Sequence, residues 1–562
     1  MKDDVSNSRK LHFGLYVLAL TLALAVRLAR LEAWPLSDEE ARWAMQSLDL
    51  LRGLRPEVGP QPLYVWLTAL AFFVLQASAF AARLVPALFG TALVLAPYFF
   101  RDRLGDKAAL VLAFWLAFEP GLLAISRLAG SPMLVVSALV LAWGAWRQGK
   151  FRVAGVLAGL ALLAGPQLWP GLLGLLIASG LRRGLFAAET TARVERQDLI
   201  CSLAYAAGTF LVAGSFFLLA PGGLGAGLQS VAAYFSGWIE FNGVPAQRLL
   251  LALLVYEFPA LILALAALVR GILRRDELTI ALGFWLLAAL VLAIANPGRQ
   301  VFDLAWALLP LTALAALEVA RHINPIEDGA WETLGMMAFT MALLAFSALN
   351  FTSIALWSTE ASTLRWVLLA ASLLLLGLTI FMVAYGWSVS VAVQGSVWGA
   401  FIMLGVYALS AAMAAGGLRV DRTVELWTPG LRADYASAFT SQVDEISQWK
   451  LAPAMPLEIT VAGVDSPALR WALRKWNVTV SASTVLTASP DIVIVPGDAA
   501  NPELQAGYRG QDFIWRTEPL WDQLSPPDWL RWALRHTALE GQETLILWVR
   551  SDLFIDSQNK TP

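Results

Sequence analysis

Apolar segments of roughly membrane-spanning length recur along the first 415 residues, near 11–31, 62–79, 81–100, 108–126, 132–146, 153–181, 199–220, 247–269, 279–295, 304–320, 333–357, 364–386 and 392–415. An α-helix needs about 20 such residues to cross the hydrocarbon, where no water is present to satisfy backbone N–H and C=O groups. Of 562 residues, 58% are hydrophobic and only 15% charged, with 24 tryptophans, which is too apolar for a soluble chain of this length. These features predict a polytopic α-helical membrane protein. The formal net charge of −2 argues against a nucleic-acid partner, because polyanion binders carry a basic face. The single cysteine, Cys201, lies in an apolar run and can form no intrachain disulfide, so it does not report the redox compartment. The apolar run from Leu11 resembles a signal peptide, but it is long enough to span and no small-residue cleavage site follows, so it reads as a retained first helix.

Orientation follows from the short basic loops "RDRLGDK" (101–107), "RQGKFR" (147–152), "LRRGLFAAETTARVER" (181–196), "RGILRR" (270–275) and "RH" (321–322), all expected on the cytoplasmic side. If the basic N-terminus shares that side, 62–79 cannot cross, and it reads as a helix in the outer interface paired with a helix at 38–52. The stretch 153–181 must then fold into two short helices turning outside at "GPQLWP". Together these give about thirteen crossings of a cell membrane and an external first loop at 32–80. "YGWSVSVAVQG" (385–395) falls inside without a basic residue. From about Gly416 the composition turns water-soluble: "LEITVAG", "NVTVSA", "DIVIVPG" and "LILWVR" read as strands, and "ADYASAFTSQVDEISQWK" and "SPALRWALRKW" as helices. A transmembrane domain over 1–415 and a small external α/β domain over 416–562 are expected.

Just after the first apolar run stands "WPLSDEEARWAMQSLDLLRG" (34–53). Ser37 and Glu40 have the capping-box spacing, and Ala41, Ala44, Met45, Leu48 and Leu51 follow at helical intervals, so the stretch reads as an amphipathic helix whose acids favour its N-terminal dipole. That role accounts for Glu40. It leaves Asp38 and Glu39 able to deprotonate a hydroxyl or to hold a divalent cation, the one candidate cofactor.

The succession of a first helix, this external acidic pair, "EARWA", "PQPLYVWLTAL", "AARLVPALFGTALVLAPYFFRDRLGDKAAL" and "AISRLAGSPMLVV" resembles the GT-C glycosyltransferases of the protein O-mannosyltransferase and aminoarabinose-transferase group. The later stretches "VYEFPALILALAALV", "ALRWALRKWNVTV", "DIVIVPG" and "LILWVR" are more similar to a flippase-associated subgroup. The resemblance covers 30–140 firmly and the rest loosely. It implies a cell-envelope enzyme that transfers a sugar, with inversion, from a polyprenyl-phosphate donor to a protein, lipid or glycan acceptor at the outer face. In that family the first-loop acid is the general base, which points to Asp38 and Glu39, or to Glu39 and Glu40 if "EARWA" is matched without a gap. Because Glu40 fits the capping box, the expected pair is Asp38 and Glu39.

Three positions depart from the family pattern. A His-Pro-Pro is replaced by Pro60, Gln61 and Pro62, an aspartate after "SRLA" by Ser131 and Pro132, and a lysine in "LALLAGP" by Gly165. A zinc site of histidines is not expected, since His12 and His322 fall on the cytoplasmic side and His536 in the terminal domain. Two intramembrane acids could replace the lost one: Glu119 in "AFEPG" and Glu257 in "VYEFP", each costly by about 2.5 kcal/mol or more at membrane depth. Alternatively, each is neutralised by a neighbour and serves packing. Arg127 and Arg299 are candidate phosphate ligands, or else interfacial anchors like Arg83. Tyr64 is a further candidate substrate contact, and the aromatic loop 232–243 could stack on a sugar or belong to an interfacial belt. The terminal domain has no Gly-rich phosphate loop and reads as acceptor-binding or structural.

Three functions compete. A glycosyltransferase is favoured by "SDEE"; a non-catalytic lipid-linked-sugar binder assisting a flippase is favoured by the missing acid. A transporter is disfavoured by the absence of an internal repeat.

Overall fold

The computed structural model describes residues 2–185, 195–323, 329–356, 362–419, 423–428, 431–449, 457–483, 489–498 and 504–554. Among the described residues the elements up to Ala415 are all helices, and the five strands lie beyond residue 457. Among the described residues eight helices are long and apolar enough to cross a membrane, or ten if two bent pairs each form one span. The bent pairs are Asp106–Phe118 with Pro120–Ser126, at 52°, and Ala246–Tyr256 with Phe258–Arg274, at 86°. The apolar helices Met133–Arg147, Phe151–Leu162 and Leu168–Leu185 occupy the remaining positions at which the sequence predicts a crossing. They fall short for local reasons: the first two have only 15 and 12 residues, and the last ends on Arg182 and Arg183. The last two are the expected pair of short helices either side of "GPQLWP".

The Pro62–Leu75 helix has 14 residues, about 21 Å of rise, and is too short to cross the roughly 30 Å core. It begins at Pro62, where proline's missing N–H costs nothing, and leaves Leu70, Phe73 and Val74 exposed on one side. Its other side packs on the Asp38–Leu51 helix of the first loop. That helix starts with the expected capping box: the Ser37 hydroxyl accepts from the Glu40 N–H at 3.3 Å, and the Glu40 carboxylate accepts from the Ser37 N–H at 3.1 Å.

The small terminal sheet has the order β2-β1-β3-β5-β4, with β1 Glu458–Ala462, β2 Asn477–Ser481, β3 Ile492–Pro496, β4 Tyr508–Pro519 and β5 Glu540–Arg550. β1 runs parallel to β2 and β3, whereas β5 is antiparallel to β3 and β4. Central β3 is the apolar run Ile-Val-Ile-Val, buried on both faces as its position requires. β4, "YRGQDFIWRTEP", is the strand the sequence does not announce, because an edge strand tolerates the charges that mask its pattern.

The two parts share one buried apolar cluster, which contains Phe72 and Trp306 of the helical part together with Trp471, Trp515 and Trp532. At their junction the rings of Phe72 and Trp471 lie 5.7 Å apart, and Arg474 donates to the Ala77 carbonyl at 3.0 Å.

Candidate active-site cleft

The three first-loop carboxylates point to three different surroundings, as the 100° step of a helix requires. Glu40 is buried and forms a fork-to-fork pair with Arg83, both bonds 2.7 Å, while also accepting from the Ala129 N–H at 3.0 Å. Burial alone would push its pKa up, but the Arg83 charge and these hydrogen bonds hold it below the ordinary value. Glu40 thereby ties the first-loop helix, the Ala79–Leu93 helix and the 127–132 turn together.

Asp38 faces the terminal domain. It accepts from the Ser466 hydroxyl at 2.7 Å and the Ala468 N–H at 2.9 Å, at the start of the Pro467–Ala472 helix, and it pairs with Arg516. These contacts direct Asp38 into the junction between the two parts, whereas its expected partner Glu39 makes none of them.

Glu39 differs from both. Its side chain is reachable by solvent, yet crowding by protein desolvates it and raises its pKa, with Arg42 opposing and Glu40 and Asp38 adding to the rise. Among the described residues it has no hydrogen-bond partner.

Next to Ser37 and Glu40 opens a cleft of about 90 Å³, with Arg30, Arg83 and Arg127 on one wall and Arg419, Glu425 and Arg432 on the other. Trp34 and Trp427 supply aromatic faces. Arg127 lines this cleft as a phosphate ligand would, but its guanidinium already donates to the carbonyls of Val26, Arg27, Ala29, Arg30 and Gly416. Its present role is to cap the carbonyl end of the first helix. Arg299 lies elsewhere: it donates to the Ile294 and Asn296 carbonyls and packs by its backbone against Val244 and Gly243 of the aromatic loop. The Tyr64 hydroxyl donates to the Ala82 carbonyl at 2.8 Å in a buried site, so this donor is engaged within the fold rather than offered to a ligand.

Glu119 and Glu257, proposed separately from sequence, come together. Each sits at the break of one bent helix pair, both are buried, and the two carboxyl groups lie beside one another. Glu119 also caps its helix by accepting from Leu122 N–H.

Glu425 is the carboxylate that sequence reasoning missed. It is buried, one oxygen accepts from the Tyr256 hydroxyl at 2.5 Å and lies 2.9 Å from His536 Nδ1, and the other has no partner among the described residues. Its signal was faint because a lone acid in a linker has no periodic context. Among the described residues no three acidic, histidine or cysteine side chains gather to hold a metal ion, and the divergence of Asp38, Glu39 and Glu40 explains why the first loop does not.

No protein-family model matches the sequence, and no curated protein matches it. Solved structures do. The crystal structure of ArnT from Cupriavidus metallidurans bound to undecaprenyl phosphate superposes with a TM-score of 0.55 at 14% identity, over 96% of this chain and 99% of that one. The chain shares the fold of this ArnT structure. The apo form of the same ArnT matches with a TM-score of 0.49 at 15% identity, over 95% of this chain and 98% of that one. An Archaeoglobus fulgidus oligosaccharyltransferase in complex with zinc and sulfate matches with a TM-score of 0.38 at 12% identity, over 86% of this chain and 68% of that one.

Within this ArnT-like fold two of the three sequence departures are neighbours. Gly165 has φ +129°, and a Cβ there would come 2.8 Å from Gln61 Cγ, while Leu63 N–H donates to the Leu163 carbonyl at 3.0 Å. Gln61 is buried and fills the space that a side chain at Gly165 would need.

Proposed function

We propose that this chain is a membrane glycosyltransferase moving a sugar from a polyprenyl-phosphate donor to a hydroxyl on a protein, lipid or glycan acceptor at the outer membrane face, with Glu39 as general base. The observation that carries this reading is the sorting of the first-loop carboxylates: Glu40 is bound to Arg83 and Asp38 to the terminal domain, which leaves Glu39 exposed and without a hydrogen-bond partner among the described residues, beside the Ser37 and Glu40 edge of the cleft. The ArnT fold, solved with undecaprenyl phosphate, supports the donor class.

In this mechanism the acceptor hydroxyl transfers its proton to Glu39 as its oxygen attacks the anomeric carbon from the face opposite the phosphate. The bond from the anomeric carbon to the phosphate oxygen breaks and the lipid phosphate departs with the electron pair, so the sugar is inverted. The guanidinium groups around the cleft favour the negative charge that accumulates on the leaving phosphate. The terminal domain, held over the first loop by Asp38, is the acceptor-side wall.

A second assignment rests on Glu425, which lines the cleft and keeps one oxygen without a partner among the described residues. Glu39→Gln and Glu425→Gln separate the two when sugar release from radiolabelled polyprenyl-phosphate donors is followed in membranes. Glu39→Gln is expected to lower turnover by about 10²- to 10⁴-fold. A loss confined to Glu425→Gln moves the base to Glu425. A wild-type chain inert toward all donors, yet retaining them, is a lipid-linked-sugar binding protein instead.

A further inference from the structure

A larger cavity lies away from this cleft. The Ala79–Leu93 helix begins beside Ala77, where the terminal domain docks, and continues through Phe99 for about 30 Å, so Arg103 stands at the opposite end of the bundle. There a space of about 740 Å³, within the size range of ligand sites, opens among the helices. Its walls are apolar, built from residues such as Leu112, Leu139, Leu172 and Leu282, with Trp143 and Trp285 edge-to-face at 5.8 Å. Leu176 and Trp143 at its edge remain exposed on the flank of the bundle, so the space opens sideways toward the bilayer as well as toward the end.

The mouth is basic. Arg103, Arg147, Arg182 and Arg183 all line it. Arg147 pairs with Asp102 at 2.6 Å and Arg182 with Glu277, the one acid in the lining. Arg103 and Arg183 are exposed and have no carboxylate partner among the described residues. A long apolar chamber reached from the bilayer and ending in two guanidinium groups that have no carboxylate partner among the described residues matches a molecule with apolar chains and one anionic phosphate, and basic pockets between membrane helices bind such lipids.

We propose that this cavity is a binding site for an anionic phospholipid, its acyl chains among Leu112, Leu139, Leu172 and Trp285 and its phosphate between Arg103 and Arg183. A free anion would gain nothing from the apolar walls, and a zwitterionic lipid would place its own cation beside the two arginines. The site stands independently of the glycosyltransferase reading, since it shares no residue with the cleft.

The test is native mass spectrometry of the full chain after exchange into mixed micelles holding equal phosphatidylglycerol, phosphatidylcholine and undecaprenyl phosphate, comparing wild type with Arg103→Ala/Arg183→Ala and with Ala178→Phe, which fills the chamber. Wild type is expected to retain phosphatidylglycerol about 30-fold over phosphatidylcholine, the preference given by two cations near a lipid surface. The double variant should fall to near parity, and Ala178→Phe should lose bound lipid of both kinds. Equal retention of phosphatidylglycerol by wild type and double variant overturns the proposal. So does preferential retention of undecaprenyl phosphate, which would make the chamber a second polyprenyl site.

Discussion

Asp38 and Glu39 are adjacent acids to which the structure gives opposite consequences, and substituting them one at a time separates docking from chemistry. Asp38→Ala removes an acceptor of two neutral hydrogen bonds, from Ser466 and Ala468, and one partner of Arg516. The first loss is that of a helix cap, about 1 kcal/mol. The ion pair, with both side chains 15% exposed and Arg516 still held by Glu543, adds about 1 kcal/mol. The sum, about 2 kcal/mol, is a factor of about 30 in the equilibrium between docked and undocked Pro467–Ala472. Hydrogen exchange reads it directly: the amides of that helix should exchange about 30-fold faster in Asp38→Ala and only a few-fold faster in Asp38→Asn, which keeps an acceptor oxygen. Glu39→Gln should leave exchange unchanged while turnover collapses. If Asp38→Ala exchanged like wild type and lost activity by the margin expected of a base, the sorting of the first-loop carboxylates would be refuted.

Two other outcomes follow from the same residues. Arg83→Met strands Glu40 in a buried site and should destabilise the protein by about 3–5 kcal/mol in thermal unfolding. The pH dependence should also change sign. In wild type the depressed Glu40 pKa contributes stability above the unfolded value near 4.5 that is lost as pH falls through the folded one. In the variant the unpaired carboxyl resists ionisation, so stability should fall as pH rises and acidification should recover part of it. For Glu39, whose pKa is raised, the acidic limb of the pH–rate profile should lie above 4.5 and vanish in Glu39→Gln. A limb at or below that value would exclude Glu39 as the group titrating.

Local signals carried far in this chain. The spacing of Ser37 and Glu40 specified a capping box because both partners lie within one turn, and basic loops with apolar run lengths located the helices because each is set by its own composition. What stayed hidden depends on distant pairings. Asp38 meets Ser466 and Arg516 across 428 and 478 residues, and no periodicity encodes that approach. Glu119 and Glu257 were each recognisable as acids out of place, but that two broken helices bring them together is a property of the packing. Gln61 and Gly165 read as separate losses, although in space one occupies the room denied to the other. The edge strand Tyr508–Pro519 escaped because solvent on one side relaxes the alternation by which strands are recognised.

Arg127 collects carbonyls from the end of the first helix and from Gly416, just past the end of the Val389–Ala415 helix. One side chain therefore fastens the chain's first membrane segment to its last, and both the acidic loop and the terminal domain leave the bundle from that knot. Tilting either helix must carry the two walls of the cleft along together, so the gap between them is insulated from breathing of the bundle. Its width is then set by the contacts that hold the terminal domain to the first loop, through Asp38 and Arg474.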